Sequence, residues 1–152
     1  METNPVKCVM IVADDLPPGL AVNTAAVLAI TLGRRIEHIV GPDVADRAGL
    51  IHTGLTWLPI PILTAGSETL RTLRAQAAEQ GDLLLVDVTD AAQEARTYET
   101  YERRLAEMPA EDLVYRGVAI YGHKKRINTL TGRLPLFGAV REPQADVVSQ
   151  SA

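Results

Sequence analysis

Val6-Lys7-Cys8-Val9-Met10-Ile11-Val12-Ala13, followed at once by Asp14-Asp15-Leu16-Pro17-Pro18-Gly19, decides the fold class. The first eight residues are a short apolar run rich in β-branched side chains, which reads as a buried strand. Two carboxylates end it, and Pro17-Pro18-Gly19 forces the chain to turn. From Leu20 to Leu32 the residues are apolar or small almost all round, with Asn23, Thr24 and Thr31 as exceptions. A helix so uniformly apolar is expected to be buried on more than one side. Gly33 is its expected stop, and Arg34-Arg35 suit the negative end of the helix dipole. Buried strand, polar loop and buried helix together open a βαβ unit.

The same alternation continues along the chain. Trp57 to Leu63 alternates apolar residues with Pro59 and Pro61, which predicts an edge strand because proline cannot donate to a ladder. Ser67 is the expected N-cap of a helix reaching about Gln80, with Leu70, Leu73 and Ala77 on its apolar face. Leu83-Leu84-Leu85-Val86-Asp87-Val88 reads as the clearest central strand. Thr97 caps a third helix from Tyr98 to about Met108, in which Glu99 and Arg103 stand at ion-pair spacing. Leu113 to Tyr121 is the last strand, broken by Gly122, and a short helical turn is expected over Lys124–Leu130. Between Ile36 and Gly54 the punctuation by Gly41-Pro42, Asp43 and Gly49 suggests a short helix or irregular excursion, then a strand piece around Leu50-Ile51. Strands separated by helices mean an α/β fold, with three layers (α/β/α) and a mixed sheet of about four strands. The expected organisation is one α/β domain over residues 1–137 and a disordered polar tail over residues 138–152.

Composition narrows the function classes. Apolar residues are 47% of the 152 and aromatics only 4%, so the core must be built from Val, Leu, Ile and Ala. A net charge of −4 argues against a non-specific grip on a nucleic-acid backbone. The single cysteine, Cys8, cannot form an internal disulfide, and inside an apolar strand it is expected to pack rather than react. No signal-peptide pattern opens the chain, and its apolar runs are shorter than the ~20 residues that span a bilayer. A cytoplasmic location with no membrane partner is expected.

The candidate chemistry gathers at expected strand ends. Asp14 and Asp15 follow the first strand, where α/β folds collect binding residues; the plainer reading is a turn cap beside a solvated carboxylate. Asn23 and Thr24 interrupt an apolar helix, so each needs either a backbone partner or a ligand cleft. Thr89, Asp90 and Gln93 follow the strand ending at Val88 and are expected near the Asp15 loop. Asp90 is the candidate catalytic base or water positioner, and its alternative is a turn cap. His38, His52 and His123 lack the spacing of a metal site, no G-x-S-x-G occurs, and no motif points to a cofactor. His123-Lys124-Lys125-Arg126, with Arg133 beyond, is the basic cluster; it reads as a solvated surface or as a phosphate contact.

Several segments together resemble one family, the bacterial proteins catalogued as domain of unknown function 2000. They are Asp15-Leu16-Pro17-Pro18-Gly19-Leu20 with Asn23, Leu32-Gly33, Gly54-Leu55-Thr56 leading to Pro59-Ile60-Pro61-Ile62-Leu63, Val118–Gly122 and Asn128–Leu136. That family is in turn similar to the type 2 peptidyl-tRNA hydrolases. The shared features are Asp15-Leu16 with the Gly19 loop, the Asp90-Ala91 pair, and a last strand leading through Gly122 to Thr131-Gly132-Arg133-Leu134. The resemblance implies a mixed four-stranded sheet between helices and a homodimer. The candidate ligand contacts are Asp14, Asp15, Gly19, Asn23, Thr24, Thr89 and Gln93, and the acidic residue of the hydrolases has its candidate equivalent in Asp90, with Asp87 competing for the role. The hydrolases carry a lysine early in the first helix, where this chain has Val22 or Asn23. They carry a threonine at the start of the last strand, where it has about Gly117. Those departures favour a non-catalytic small-ligand-binding or regulatory domain. The alternative is a hydrolase of an ester or amide, peptidyl- or aminoacyl-tRNA-like, on a rebuilt site, with tRNA the disfavoured partner.

Overall fold

The computed structural model describes residues 4–139. Strand β1 (Val6–Ala13) alternates between two apolar layers: Cys8 and Met10 face one, Val9, Ile11 and Ala13 the other, all of them buried. It is flanked on one side by β4 (Ile62–Ala65), parallel, and on the other by β6 (Tyr115–His123), antiparallel. Strand β5 (Leu84–Thr89) pairs antiparallel with the far side of β6. The sheet order is therefore β4-β1-β6-β5, mixed and four-stranded as the alternation of elements implied.

Helix α1 (Pro18–Arg35) covers the Cys8 face through Leu28 and Leu32. Helices α2 (Ser67–Glu79) and α5 (Lys124–Thr131) cover the Val9 face through Leu70, Leu73, Ala77 and Ile127. A sheet faced on both sides by helices makes the three layers. The chain between α1 and β4 forms a hairpin of two short strands, β2 (Val44–Ala45) and β3 (Ile51–His52), with Asp46 accepting from the Ala48 and Leu50 amides at its turn. The His52 ring beside Asp46, with those amides, holds the Asp46 carboxyl below the usual range.

Several local expectations change. Helix α1 runs through Gly33 to Arg35, because the Ile36 amide still donates to Leu32 and no atom from elsewhere crowds the glycine. One side of α1 faces solvent, where burial on more than one side was expected. Ser67 is the first residue of α2 and Gly66 its cap, without a side-chain hydrogen bond. The segment from Ile36 to Gly54 contains the β2–β3 hairpin and no helix. Pro59 and Pro61 keep Trp57–Pro61 out of the ladder, so β4 is an edge strand of only four residues. Strand β5, expected at the centre, is the other edge: it is apolar on both sides because α1 lies over one face and α2 over the other. Gly122 lies within β6, where any side chain would meet Leu83.

The third expected helix is α4 (Tyr98–Glu107), and Thr97 caps it by accepting from the Thr100 amide. Arg103 forms no ion pair with Glu99; among the described residues it is Arg104 that pairs, with Glu94, at 3.5 Å. A short helix absent from the sequence reading, α3 (Asp90–Glu94), precedes it. Of the expected tail, 138–152, all but Gly138 and Ala139 lie outside the described residues. Among the described residues no helix is long and apolar enough to cross a membrane.

Candidate functional site at the entry of the last strand

The first residues of β6 and the Val114 amide before them are the point to which most of the expected site residues connect. Asp90 donates its backbone N–H to the Val114 carbonyl (2.9 Å), and its Oδ1 accepts from the Val114 amide (3.3 Å) and from Ala91 (3.0 Å). Thr89 lies opposite Tyr115, across a register shift between Val88 and Thr89. Its side chain is buried and its Oγ1 has no hydrogen-bond partner among the described residues. Arg116 reaches towards Asp15, with 3.8 Å between Nη1 and Oδ2. That is an ion-pair distance, too long for a hydrogen bond. The Arg116 Nε is buried and unpartnered among the described residues, while its side chain keeps 24% of its exposure.

Gly117 sits beneath Thr24. A Cβ there would lie 2.5 Å from Thr24 Cγ2 and 3.2 Å from Leu28 Cδ1, so α1 approaches β6 as closely as it does because this residue has no side chain. Thr24 is fully buried. Its hydroxyl donates to the Leu20 carbonyl (2.8 Å) and accepts from Gln93 Nε2 (3.0 Å). It is the Thr24 methyl that faces the start of the last strand, while the hydroxyl turns to Leu20 and Gln93.

Asp15, Thr24, Thr89, Asp90 and Gln93 thus all connect to Val114–Gly117, directly or through one neighbour. Asn23 does not: it is exposed on the outward side of α1, so the burial that motivated its selection is absent. Gly19 is likewise exposed in the first turn of α1. Asp14 turns the other way and helps to line a cleft of about 410 Å³ with Thr64, Gly66 and Leu136, beyond the end of β4. A second cleft, about 450 Å³, runs along the free edge of β5 between α1 and α4, past Thr31, Val88, Arg96, Tyr98 and Tyr101. Burial, with Asp87 and Tyr98 near, holds the Tyr101 phenol above the ordinary range. A third, about 230 Å³, lies between α2 and α5. Asp90 lines none of the three.

Arg116 is the residue that sequence reasoning missed. Its signal was a charge at the head of an apolar strand, next to a glycine. The basic cluster is spread by the structure: Arg126 pairs with Asp82, and His123 caps α5 by accepting from the Lys125 amide.

No curated protein matches the chain. A solved structure of a protein of unknown function, Atu0240 from Agrobacterium tumefaciens strain C58, superposes with a TM-score of 0.80 at 19% identity, covering 88% of this chain and 98% of that one. At that identity the likeness speaks for the fold alone. Residues 6–137 match the family model described as "Protein of unknown function (DUF2000)", and the chain belongs to that family.

Proposed function

We propose that this domain binds a small anionic ligand, a carboxylate or phosphate, at the entry of β6 and does not turn it over. Arg116 carries the reading. Its Nε is buried and lacks a partner among the described residues, and its carboxylate neighbour Asp15 stands off at 3.8 Å. An unsatisfied buried donor is costly, and a planar anion meets a guanidinium with two parallel hydrogen bonds. Thr24 and Gln93 then serve as a braced wall rather than as reacting groups, since each already satisfies the other.

Against the hydrolase alternative stands the use of Asp90. Its Oδ1 takes two backbone amides, as a turn-capping carboxylate does, and a general base must be free to reach a substrate proton. Nor does any of the three clefts described above include Asp90, Asn23 or Asp15.

The test is a thermal-shift and NMR titration with acetate, inorganic phosphate and a nucleoside monophosphate. Ligand at a hundred times its Kd should stabilise the wild type by about 2.7 kcal/mol. Arg116→Gln should abolish the response while leaving the free protein's spectrum unchanged. If none of the anions shifts the wild type, the reading fails. Release of peptide from charged tRNA by the wild type, lost in Asp90→Ala, would instead establish the hydrolase.

A further inference from the structure

The two edges of the sheet differ in how they end. Along β4 the chain covers its own edge: the Thr64 amide donates to the Pro135 carbonyl (3.0 Å) and the Phe137 amide to the Ile62 carbonyl (2.8 Å). Along β5 nothing comparable happens. Apart from the pairing with β6, no backbone group of Leu84–Val88 hydrogen-bonds to another described residue. Proteins ordinarily blunt such an edge with lysine, proline, an inward charge or a cover. Strand β5 has neither lysine nor proline, and its one charge, Asp87, is taken up by Arg74 of α2 at 3.1 Å.

A cover is present, but it stands off. Helix α4 runs beside β5 across the cleft of about 450 Å³, with Val86, Asp87 and Val88 on one side and Tyr98 and Tyr101 on the other. No residue of α4 is buried. Yet Tyr98, Tyr101 and Leu105, with Met108 just beyond the helix, follow the spacing i, i+3, i+7 and i+10 of a single apolar face. Tyr98 keeps 74% of its exposure and Leu105 36%. A helix normally draws its stability from burying such a face. Here the helix is held near its start instead, by the Thr97 cap and by the ion pair from Glu94 to Arg104.

A row of free backbone groups and an uncovered apolar stripe thus face each other across one gap. An extended peptide fits both, its main chain completing the β5 ladder and every second side chain entering the space between α1 and α4. A purely apolar molecule would leave the β5 backbone groups buried without partners. Tyr98 to Leu105 spans about 10 Å of helix, the length of about three strand residues. Arg96 sets the charge of the occupant. It lines the cleft in the turn between α3 and α4, is exposed, and forms no ion pair among the described residues, so a carboxylate is its match. We propose that the groove between β5 and α4 binds an extended peptide of another protein as a fifth strand, with alternating apolar side chains and a carboxylate held by Arg96. The groove shares no lining residue with the entry of β6, so the two sites succeed or fail separately.

The experiment pans a phage-displayed library of random heptapeptides on the full chain, counter-selecting on Tyr98→Ala, a change at an exposed residue outside the core. Enriched sequences should alternate apolar residues and carry an acidic one, and the best of them, made synthetically, should bind in fluorescence anisotropy. Arg96→Glu should weaken that peptide about tenfold, the worth of one charge-assisted hydrogen bond. Exchanging the peptide's acidic residue for lysine should restore binding to Arg96→Glu. N-methylation at alternate residues should abolish binding in one set and spare it in the other, because only every second amide of a strand faces its neighbour. No enrichment over Tyr98→Ala, equal tolerance of both methylated sets, or binding indifferent to Arg96→Glu would each overturn the proposal. Protection of the β5 amides that rises with protein concentration and excludes the peptide would put a second copy in the groove and overturn it as well.

Discussion

At Gly117 a single methyl group would be felt in two layers at once. The position is buried under α1, and the Thr24 methyl already occupies the space a Cβ would need. Gly117→Ala should therefore destabilise by about 1–3 kcal/mol, the usual cost of overpacking, read as a lower urea midpoint. Cys8 supplies a different residue-scale outcome. Burial pushes its thiol from 9.0 up to about 11, so the folded state favours the protonated form. Below pH 9 both states hold the proton and nothing is lost. As pH rises from 9 towards 11 the unfolded chain ionises first, and stability should fall by ~2–3 kcal/mol. Cys8→Ala should remove that part of the alkaline slope, whatever it costs in packing at neutral pH.

Among the elements, α2 is one that begins without a side-chain cap. Its cap is Gly66, no side chain satisfies its first amides, and the nearest atom to a Cβ there is Asp14 Oδ2 at 4.0 Å. The backbone of Gly66 (φ −67°, ψ 157°) suits an ordinary residue. Gly66→Ser should add about 0.5–1 kcal/mol, partly from the new cap and partly from a stiffer unfolded chain. An increase in urea midpoint at constant m-value would show it. The elements were largely legible because periodicity and punctuation act locally: β1 ends at Asp14, Thr97 caps α4, and α5 follows His123. The misread boundaries share one cause. Gly33 and Gly122 read as breakers, yet whether a glycine stops an element depends on what surrounds it, here open space in one case and Leu83 in the other. Ser67 lost the cap to Gly66 by one residue, a distinction propensity does not resolve.

For the molecule as a whole, the order of strands was the least legible feature. An apolar run records that both faces of a strand are covered, not whether both edges are paired, so Leu83–Val88 looked central and the strand it forms lies at the rim. The site suffered in the same way. Asp15, Thr24, Asp90 and Gln93 could be chosen by type, but Arg116 gained meaning only when β6 was seen to enter between β1 and β5. Asn23 was chosen on the same grounds and faces outward, because a helix with an open side offers a polar residue two destinations. That placing of β6 bears on how the chain is made. Val6 pairs with His123 and Val12 with Gly117, so the middle of the sheet joins residues more than a hundred positions apart. A ribosome will have delivered β1, β4 and β5 well before the strand that unites them. Until then the nascent chain holds a parallel pair and a lone strand with open edges. These are the conditions in which a waiting chain invites pairing with the wrong neighbour, and in which a chaperone has the most to protect.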